Sequence, residues 1–281
     1  MRESAMLATL VRPYLAIFAA RFLMLLQYRA AALAGIATQF WFGAIMVMAL
    51  AAFYGSGRGA PSITLAQAIT YIWLGQAFLG LLPWNVDIEI AAMMRSGNVA
   101  YERLRPVDTY SYWFARALAW RAAGTLLRCI PLLVATAVLF PAIGLGDWSL
   151  RPPPSLEALT LFALSMLAVL LLSSAITTLL NISVIWTVSG QGINAISNSL
   201  VVILSGMVIP LPLFPDWAQA FLFVQPLAGL VDIPYRIYFA NLSGAAALGG
   251  IALQILWTLL LIGLGRLLMT RTMRRVQVQG G

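Results

Sequence analysis

The sequence contains no lysine, no histidine and a single cysteine. Without histidine the chain lacks the commonest general base and the usual zinc and haem ligand. Cys129 has no partner for an internal disulfide, and its apolar neighbours indicate a small buried hydrophobe rather than a nucleophile. We therefore expect no catalytic residue, no metal site and no cofactor bound by this chain.

Charge of either sign is also scarce. Only 9% of the 281 residues are charged and 62% are hydrophobic, whereas a soluble domain carries about 25% charged residues. The chain cannot solvate its own surface, so membrane lipid must cover much of it. The net charge of +8 comes entirely from arginine. In a soluble protein this excess would suggest a nucleic-acid partner, but here it falls between apolar stretches, so we expect no nucleic acid.

The apolar stretches predict an all-α polytopic membrane protein with six transmembrane helices. Residues 1–29 are interpreted as an N-terminal interfacial segment in which residues 13–29 form a helix, with Pro13 in its first turn and a full span as the competing interpretation. Residues 30–268 then form the transmembrane domain, and 269–281 a basic tail. The six predicted spans cover residues 30–54, 64–84, 122–143, 156–182, 193–209 and 245–268.

The distribution of arginine predicts that both termini are cytoplasmic. Cytoplasmic segments of membrane proteins carry the arginine excess. In this chain arginine is concentrated in the N-terminal segment, in the loop 87–121 between spans two and three, and in the C-terminal tail. Six spans place these three regions on one side of the membrane, so orientation and span number agree.

The loop 87–121 contains residues that predict specific local structure, which a loop that only marks the cytoplasmic side by its charge would not require. Ile88 to Arg95 have helical spacing, and Gly97 is suited to end a helix. Pro106 forces Arg105 out of helical geometry, and Asp108 or Thr109 can cap the helix that enters span three. We expect Glu102 and Asp108 to pair with nearby arginines. The alternative is an ordinary positively charged loop.

Two motifs resemble those of ABC-2 type exporter permeases, in particular the viologen-exporter-like branch. The first is the run Gly97-Asn98-Val99-Ala100-Tyr101-Glu102-Arg103-Leu104-Arg105-Pro106. The second is Ser205-Gly206-Met207-Val208-Ile209-Pro210-Leu211-Pro212-Leu213-Phe214-Pro215-Asp216-Trp217. The resemblance extends over nearly the whole chain, and both motifs mark a permease family without marking a substrate.

The resemblance implies a permease that pairs with a second permease subunit in a bacterial inner membrane and is driven by a separate ABC ATPase subunit holding ATP and Mg. It implies a coupling helix that contacts the ATPase, a second contact between spans four and five, and re-entrant outer helices within residues 213–242. The coupling residues are Arg95, Gly97, Asn98, Tyr101, Glu102, Arg103, Leu104, Arg105 and Pro106; the second contact is Thr187, Ser189 and Gln191; and the outer segment contains Pro210, Pro215, Trp217 and Asp232.

The residues agree with this resemblance on one negative point. A G-x-x-x-x-G-K-[ST] nucleotide-binding run is impossible without lysine, so any ATP must be bound by another chain and this chain is not an enzyme by itself. The alternatives are a secondary transporter or channel without an ATPase, and a non-transport membrane scaffold. Proton-coupled carriers usually have ionisable residues in mid-span, and the predicted spans have few.

Uncharged polar residues are concentrated in spans four and five. Thr177, Asn181, Asn194 and Asn198 allow two interpretations: hydrogen bonds between helices, or the lining of a translocation path. The first is favoured for any single residue. Asp232 and Arg236 are four residues apart, which predicts an ion pair on one helical turn; attraction of a cationic substrate is the alternative for the acid.

Overall fold

A computed structural model of the protein describes residues 2–56, 64–187 and 190–273, with side chains from residue 11 onward except those of Ala100 and Arg103. Every regular element within these ranges is helical. Four helices are long and apolar enough to cross a membrane: Arg29–Gly55, Thr109–Ala142, Leu156–Thr187 and Gly244–Met273. The all-helical, multi-pass character predicted from the sequence is thereby confirmed.

The N-terminal helix is longer than predicted. Helix α1 spans Arg2–Leu26 and α2 spans Arg29–Gly55. Pro13 lies inside α1 rather than in its first turn, which corrects the sequence interpretation. The preceding residues are mostly Leu, Ala, Met, Arg and Glu, which are strong helix formers, so the helix starts upstream although the proline removes one backbone hydrogen bond.

The second predicted span is not a continuous helix. Helix α3 covers Leu65–Ala77 and begins at a capping box formed by Thr64 and Gln67. A 3-10 helix, Leu79–Leu81, follows, and residues 82–87 are non-helical. Pro83 lacks a backbone donor and disfavours helical geometry at the residue before it. Within the predicted span 64–84 the α-helix ends at Ala77, and all helical structure ends at Leu81.

The charged loop has the predicted local structure. Asp87 caps helix α4, Ile88–Arg95, and Gly97 follows with φ 75°. A 3-10 helix, Asn98–Leu104, leads to Arg105, whose φ of −73° and ψ of 138° are extended, as expected before proline. Asp108 then caps α5, Thr109–Val134. A π turn, Ala135–Leu139, and the short α6, Phe140–Ala142, complete the third long helix.

The C-terminal half contains two long helices and a proline-rich region of short ones. Helix α7 spans Leu156–Thr187 and α11 spans Gly244–Met273. Helix α8, Gly190–Leu204, ends before the predicted boundary at 209, because Gly206 has a left-handed φ of 86°. The intervening elements are the 3-10 helices Leu211–Leu213 and Pro226–Leu230 and the α-helices α9, Asp216–Leu222, and α10, Asp232–Tyr238.

The main hydrophobic core lies around α7, which packs against α5, α10 and α11. Trp73 of α3 is fully buried in this core and donates a 2.8 Å hydrogen bond from Nε1 to the carbonyl of Trp148. Gly43 of α2 lies against the Trp73 ring, so that a Cβ added at Gly43 would be 2.5 Å from the ring. Close contact of α2 with α3 thus requires the absence of a side chain at this position.

We predict that Gly43→Ala destabilises the protein by about 1–3 kcal/mol, because the Trp73 ring must move out of a packed core. The measurement is thermal unfolding of the detergent-solubilised chain. Gly124→Ala is the matched control, since a Cβ at Gly124 meets no atom within 4 Å and alanine favours the helix. Equal unfolding midpoints for the two variants would contradict the packing described here.

Candidate functional site

The non-helical residues 82–87, hereafter the connector, join the 3-10 helix Leu79–Leu81 to α4. Arg121 of α5 binds its backbone from one side. Its Nη1 donates to the carbonyls of Leu82 at 2.8 Å and Gly80 at 3.3 Å, and its Nη2 reaches the carbonyl of Asn85 at 3.5 Å. Thr177 of α7 orients the guanidinium by accepting from Nε and Nη2 at 3.1 and 3.0 Å.

Helices α7 and α8 bind the connector from the other side. Asn181 Oδ1 accepts from the backbone N–H of Asp87 at 2.8 Å, and Asn194 Oδ1 accepts from that of Val86 at 2.9 Å. Ser197 donates to the carbonyl of Pro83 at 2.8 Å, and Ser173 donates to the carbonyl of Leu81. The polar side chains of three helices thus replace the hydrogen bonds that a continuous helix would have supplied.

A chain of ion pairs holds the start of α4. Arg116 of α5 lies 3.1 Å from Asp87 and 2.8 Å from Glu89, and Glu89 lies 2.7 Å from Arg21 of α1. The hydrogen bond from Arg21 lowers the pKa of Glu89 below its ordinary value. Asp87 also accepts from the N–H of Glu89 and so caps α4. The base of the loop is therefore bound to α1 and α5 by charge.

Beyond this base, the loop element, residues 88–104, presents apolar side chains outward. Leu104 is 78% exposed and Tyr101 is 67% exposed, and Ile88 is exposed as well. Exposed apolar residues that form a contiguous patch mark protein or membrane contacts. The other predicted coupling residues with described side chains at this surface are Arg95, Gly97, Asn98, Arg105 and Pro106; the side chain of Arg103 lies outside the described residues.

Glu102 differs from its neighbours because it points inward. It is 4% exposed and pairs with Arg105 at 3.2 Å, which confirms its predicted ion pair. The Arg105 guanidinium also lies 4.6 Å from the centre of the Tyr112 ring. Asp108, by contrast, accepts from the N–H of Ser111 at 2.8 Å and caps α5, and it forms no ion pair with a described arginine. The Glu102–Arg105 pair shapes the loop element against α5.

The predicted second contact lies at the junction of α7 and α8. Thr187 ends α7 and Gln191 is in the first turn of α8, and both are exposed; Ser189 is outside the described residues. Gly190 packs against Val86 of the connector, where an added Cβ would lie 2.6 Å from Val86 Cγ2. The junction and the loop element are therefore linked through the connector.

The residues considered for a translocation path have separate environments. Thr177, Asn181 and Asn194 are bound to Arg121 or to the connector, as described above, which supports the interpretation as hydrogen bonds between helices. Asn198 of α8 is exposed. A path-lining role for these four residues stays a prediction.

The outer segment predicted after α8 is fixed by hydrogen bonds to the irregular turn at residues 205–206. Gln225 donates to the carbonyl of Leu204 at 2.8 Å, the N–H of Asp232 donates to that of Ser205 at 3.1 Å, and Tyr71 donates to that of Gly206. Trp217, at 85% exposure, and Pro215 lie on the surface of this segment.

Asp232 borders a cavity of about 230 Å³ that is also lined by Tyr71, Pro210 and Tyr235. Its carboxylate is buried and lies 3.5 Å from Arg236, so the predicted ion pair is confirmed. Burial raises the pKa of Asp232 from its ordinary 3.8 to about 6, and Arg236 only partly opposes this effect.

Sequence reasoning missed the roles of Arg21, Arg116 and Arg121. The sequence assigns them only to the arginine excess that marks cytoplasmic segments. In the structure Arg116 and Arg121 are buried in α5 and bind carboxylates and backbone carbonyls. The available signal was the combination of Asp87 and Glu89 with two arginines on the following helix. Hydropathy and charge bias do not show that such residues meet.

Comparison with known families identifies a family that matches most of the chain. A family model described as "ABC-2 family transporter protein" matches residues 40–280. No curated protein matches the chain. The matched range includes the connector, the loop element, the junction of α7 and α8 and the outer segment.

We predict that Asn181→Ala lowers the stability of the chain by about 1–3 kcal/mol, because the buried N–H of Asp87 loses its acceptor. Asn198→Ala is the control, since that asparagine is exposed, and a change within about 0.5 kcal/mol is expected. Thermal unfolding in detergent measures both. If the two asparagines behave alike, Asn181 does not hold the connector.

Asp232 predicts a pH dependence of stability. Because its folded pKa is raised, its contribution is fully present below pH 3.8 and is lost as the pH rises through about 6. The stability of the wild type minus that of Asp232→Asn should therefore fall by about 2 kcal/mol between pH 4 and pH 7.5. Unfolding of both proteins across this range gives the difference. Asp216→Asn, which removes an exposed acid of the same segment, is the matched control for the loss of one carboxylate.

Proposed function

The chain belongs to the ABC-2 family of transporter proteins, and from this premise we propose that it is the membrane-spanning permease subunit of an ATP-binding-cassette exporter. In the proposal a second permease, identical or related, completes the translocation path. A separate ATPase subunit binds ATP and Mg and hydrolyses the nucleotide. The two motifs that resemble the viologen-exporter-like branch support that branch as the nearest group.

The observation that carries the proposal is the construction of the loop element. It has an exposed apolar surface at Ile88, Tyr101 and Leu104, and its base is bound to the helical bundle by the Arg21–Glu89–Arg116–Asp87 chain. A solvated loop that only connects two membrane spans needs neither the apolar surface nor the bound base. A contact that receives force from a partner needs both, because the partner must bind the surface and the base must transmit the movement.

The connector supplies the route for that movement. When ATP closes the ATPase subunits, the loop element shifts with them in this mechanism. Asp87 and Val86 are bound to Asn181 of α7 and Asn194 of α8, so the shift displaces both helices relative to α5. Packed helices have discrete arrangements, and the nucleotide biases the choice between two of them. The α7–α8 junction, with Thr187, Ser189 and Gln191, gives the ATPase its second, smaller contact.

Six spans remain our proposal for the membrane topology. Helices α3 and α8 contain 13 and 15 residues, whereas a helix needs about 20 to cross the hydrocarbon core. We infer that each is completed by a non-helical end: the connector for α3, and residues 205–210 for α8. Irregular backbone is tolerated at membrane depth where protein satisfies its polar groups, and side chains do so at both ends.

The same topology gives the proposed orientation and location. Six spans with arginine-rich inner segments leave both termini in the cytoplasm of a bacterium, with the chain in the inner membrane. Helix α1 then lies along the inner interface. The short helices between α8 and α11 form the re-entrant outer segment, in which the exposed Trp217 is suited to the headgroup region.

The test is co-purification with the ATPase subunit. The tagged chain, extracted from its native membrane, should carry a nucleotide-binding subunit in fixed stoichiometry. We predict that Leu104→Ser reduces the recovered subunit about tenfold, because a central apolar contact is worth more than about 1 kcal/mol. Quantitative mass spectrometry of the purified complex provides the measurement.

Leu213→Ser is the matched control, since Leu213 is also an exposed leucine but lies in the outer segment. It should leave the yield of the ATPase subunit unchanged. A chain that transports its substrate without any nucleotide-binding partner would favour the secondary-transporter alternative. Equal loss in both variants would refute the loop element as the docking surface.

A further inference from the structure

A groove between α1, α5 and α11 has the features of a lipid-binding site. Its volume is about 380 Å³, which lies within the range of small-molecule pockets. The walls are mainly apolar and come from Leu15 and Phe18 of α1, Phe114 and Leu118 of α5, and Ile262 of α11. No side chain of the described residues fills it, although α1 and α11 each pack against α5.

One end of the groove is cationic. Arg266 of α11 lines it and is exposed, and its guanidinium lies 5.9 Å from the centre of the Tyr110 ring and donates a 3.4 Å hydrogen bond to Ser111 Oγ. Within the described part of the chain Arg266 forms no direct ion pair; Asp108 is linked to it only through Ser111 Oγ, which donates to the carboxylate at 2.7 Å. An exposed arginine with no carboxylate in direct contact, at the rim of an apolar groove, attracts an anionic headgroup.

A second, independent observation also points to a ligand. Tyr110 forms part of the groove wall, is only 2% exposed, and its hydroxyl has no hydrogen-bond partner among the described residues. Its ring is fixed in place because it packs against Gly265, where no side chain intervenes. An unpaired buried hydroxyl is destabilising, and a phosphate oxygen held by Arg266 would give it an acceptor.

We propose that this groove binds one anionic glycerophospholipid, with its phosphate on Arg266 and Tyr110 and an acyl chain between α1 and α5. The ligand follows from the chemistry of the two ends, since a soluble phosphate would leave the apolar walls empty and an uncharged lipid would leave Arg266 unpaired. A bound lipid also fixes α1 against α5. Because Arg21 of α1 pairs with Glu89 at the base of the loop element, occupancy sets the position of that base.

The proposal does not depend on the transport function and is tested on the detergent-purified full chain. Native mass spectrometry with added phosphatidylglycerol should show one tightly bound molecule, with diacylglycerol of the same acyl chains, which lacks the phosphate, binding about tenfold more weakly. Arg266→Gln should remove about tenfold of the phosphatidylglycerol affinity, as expected for loss of a charge-assisted contact. Arg271→Gln, at an exposed arginine on the same helix outside the groove, should retain it.

A second variant, which fills the groove, keeps the proposal testable if Arg266→Gln fails to fold. Leu15 is exposed by 60%, so Leu15→Trp can place its ring in the groove without entering the core and should also block binding. Equal affinity for the two lipids, an equal loss in Arg266→Gln and Arg271→Gln, or unchanged binding in Leu15→Trp would each overturn the proposal. Competition by glycerol 3-phosphate as strong as that by the intact lipid would show a phosphate site in place of a lipid site.

Discussion

The contact of buried Arg121 with the connector backbone is the interaction on which the rest of the architecture depends. Each backbone polar group left unpaired in hydrocarbon costs several kcal/mol, so a span can end in non-helical backbone only where donors and acceptors are provided. Arginine carries five N–H donors in a fixed plane, enough for the carbonyls of Gly80, Leu82 and Asn85 together with Thr177. A neutral side chain with two donors could not do the same.

Side chains form hydrogen bonds with the backbone N–H and carbonyl groups of the connector. The connector is therefore stiffer than an ordinary solvated loop. Its carbonyls are held by α5 and α8 and its N–H groups by α7 and α8, while its final residue, Asp87, also pairs with Arg116. The loop element cannot move without changing at least one of these contacts. The proposed mechanism requires such a stiff joint, since a compliant loop would absorb the movement of an ATPase subunit before it reached the bundle.

Helix ends that depend on residues close in sequence were predicted correctly. Those that depend on side chains distant in sequence were not. Gly97, Pro106 and Asp108 act on backbone close to them in the sequence, so α4, the bend and the start of α5 were all predictable. The break after Ala77 was not, because hydropathy counts apolar residues and does not reveal that Arg121, about 40 residues away, binds the carbonyls. For the same reason Arg116 and Arg121 were assigned to topology, and the early end of α8 went unseen although Gly206 marks it.

The outer end of α8 uses the same physical solution with neutral groups. Gln225, Tyr71 and the N–H of Asp232 bind the three carbonyls that follow the helix, while its inner end packs against the connector through Gly190 and Asn194. Helix α8 thus joins two irregular regions over 15 residues, about 22 Å of helix. In the proposed mechanism, displacement of the connector moves α8 as a rod, and the hydrogen bonds at residues 204–206 carry that movement to the cavity beside Asp232. Coupling from the inner loop to the outer segment then requires only one rigid helix pinned at both ends, with no charged residue in its middle.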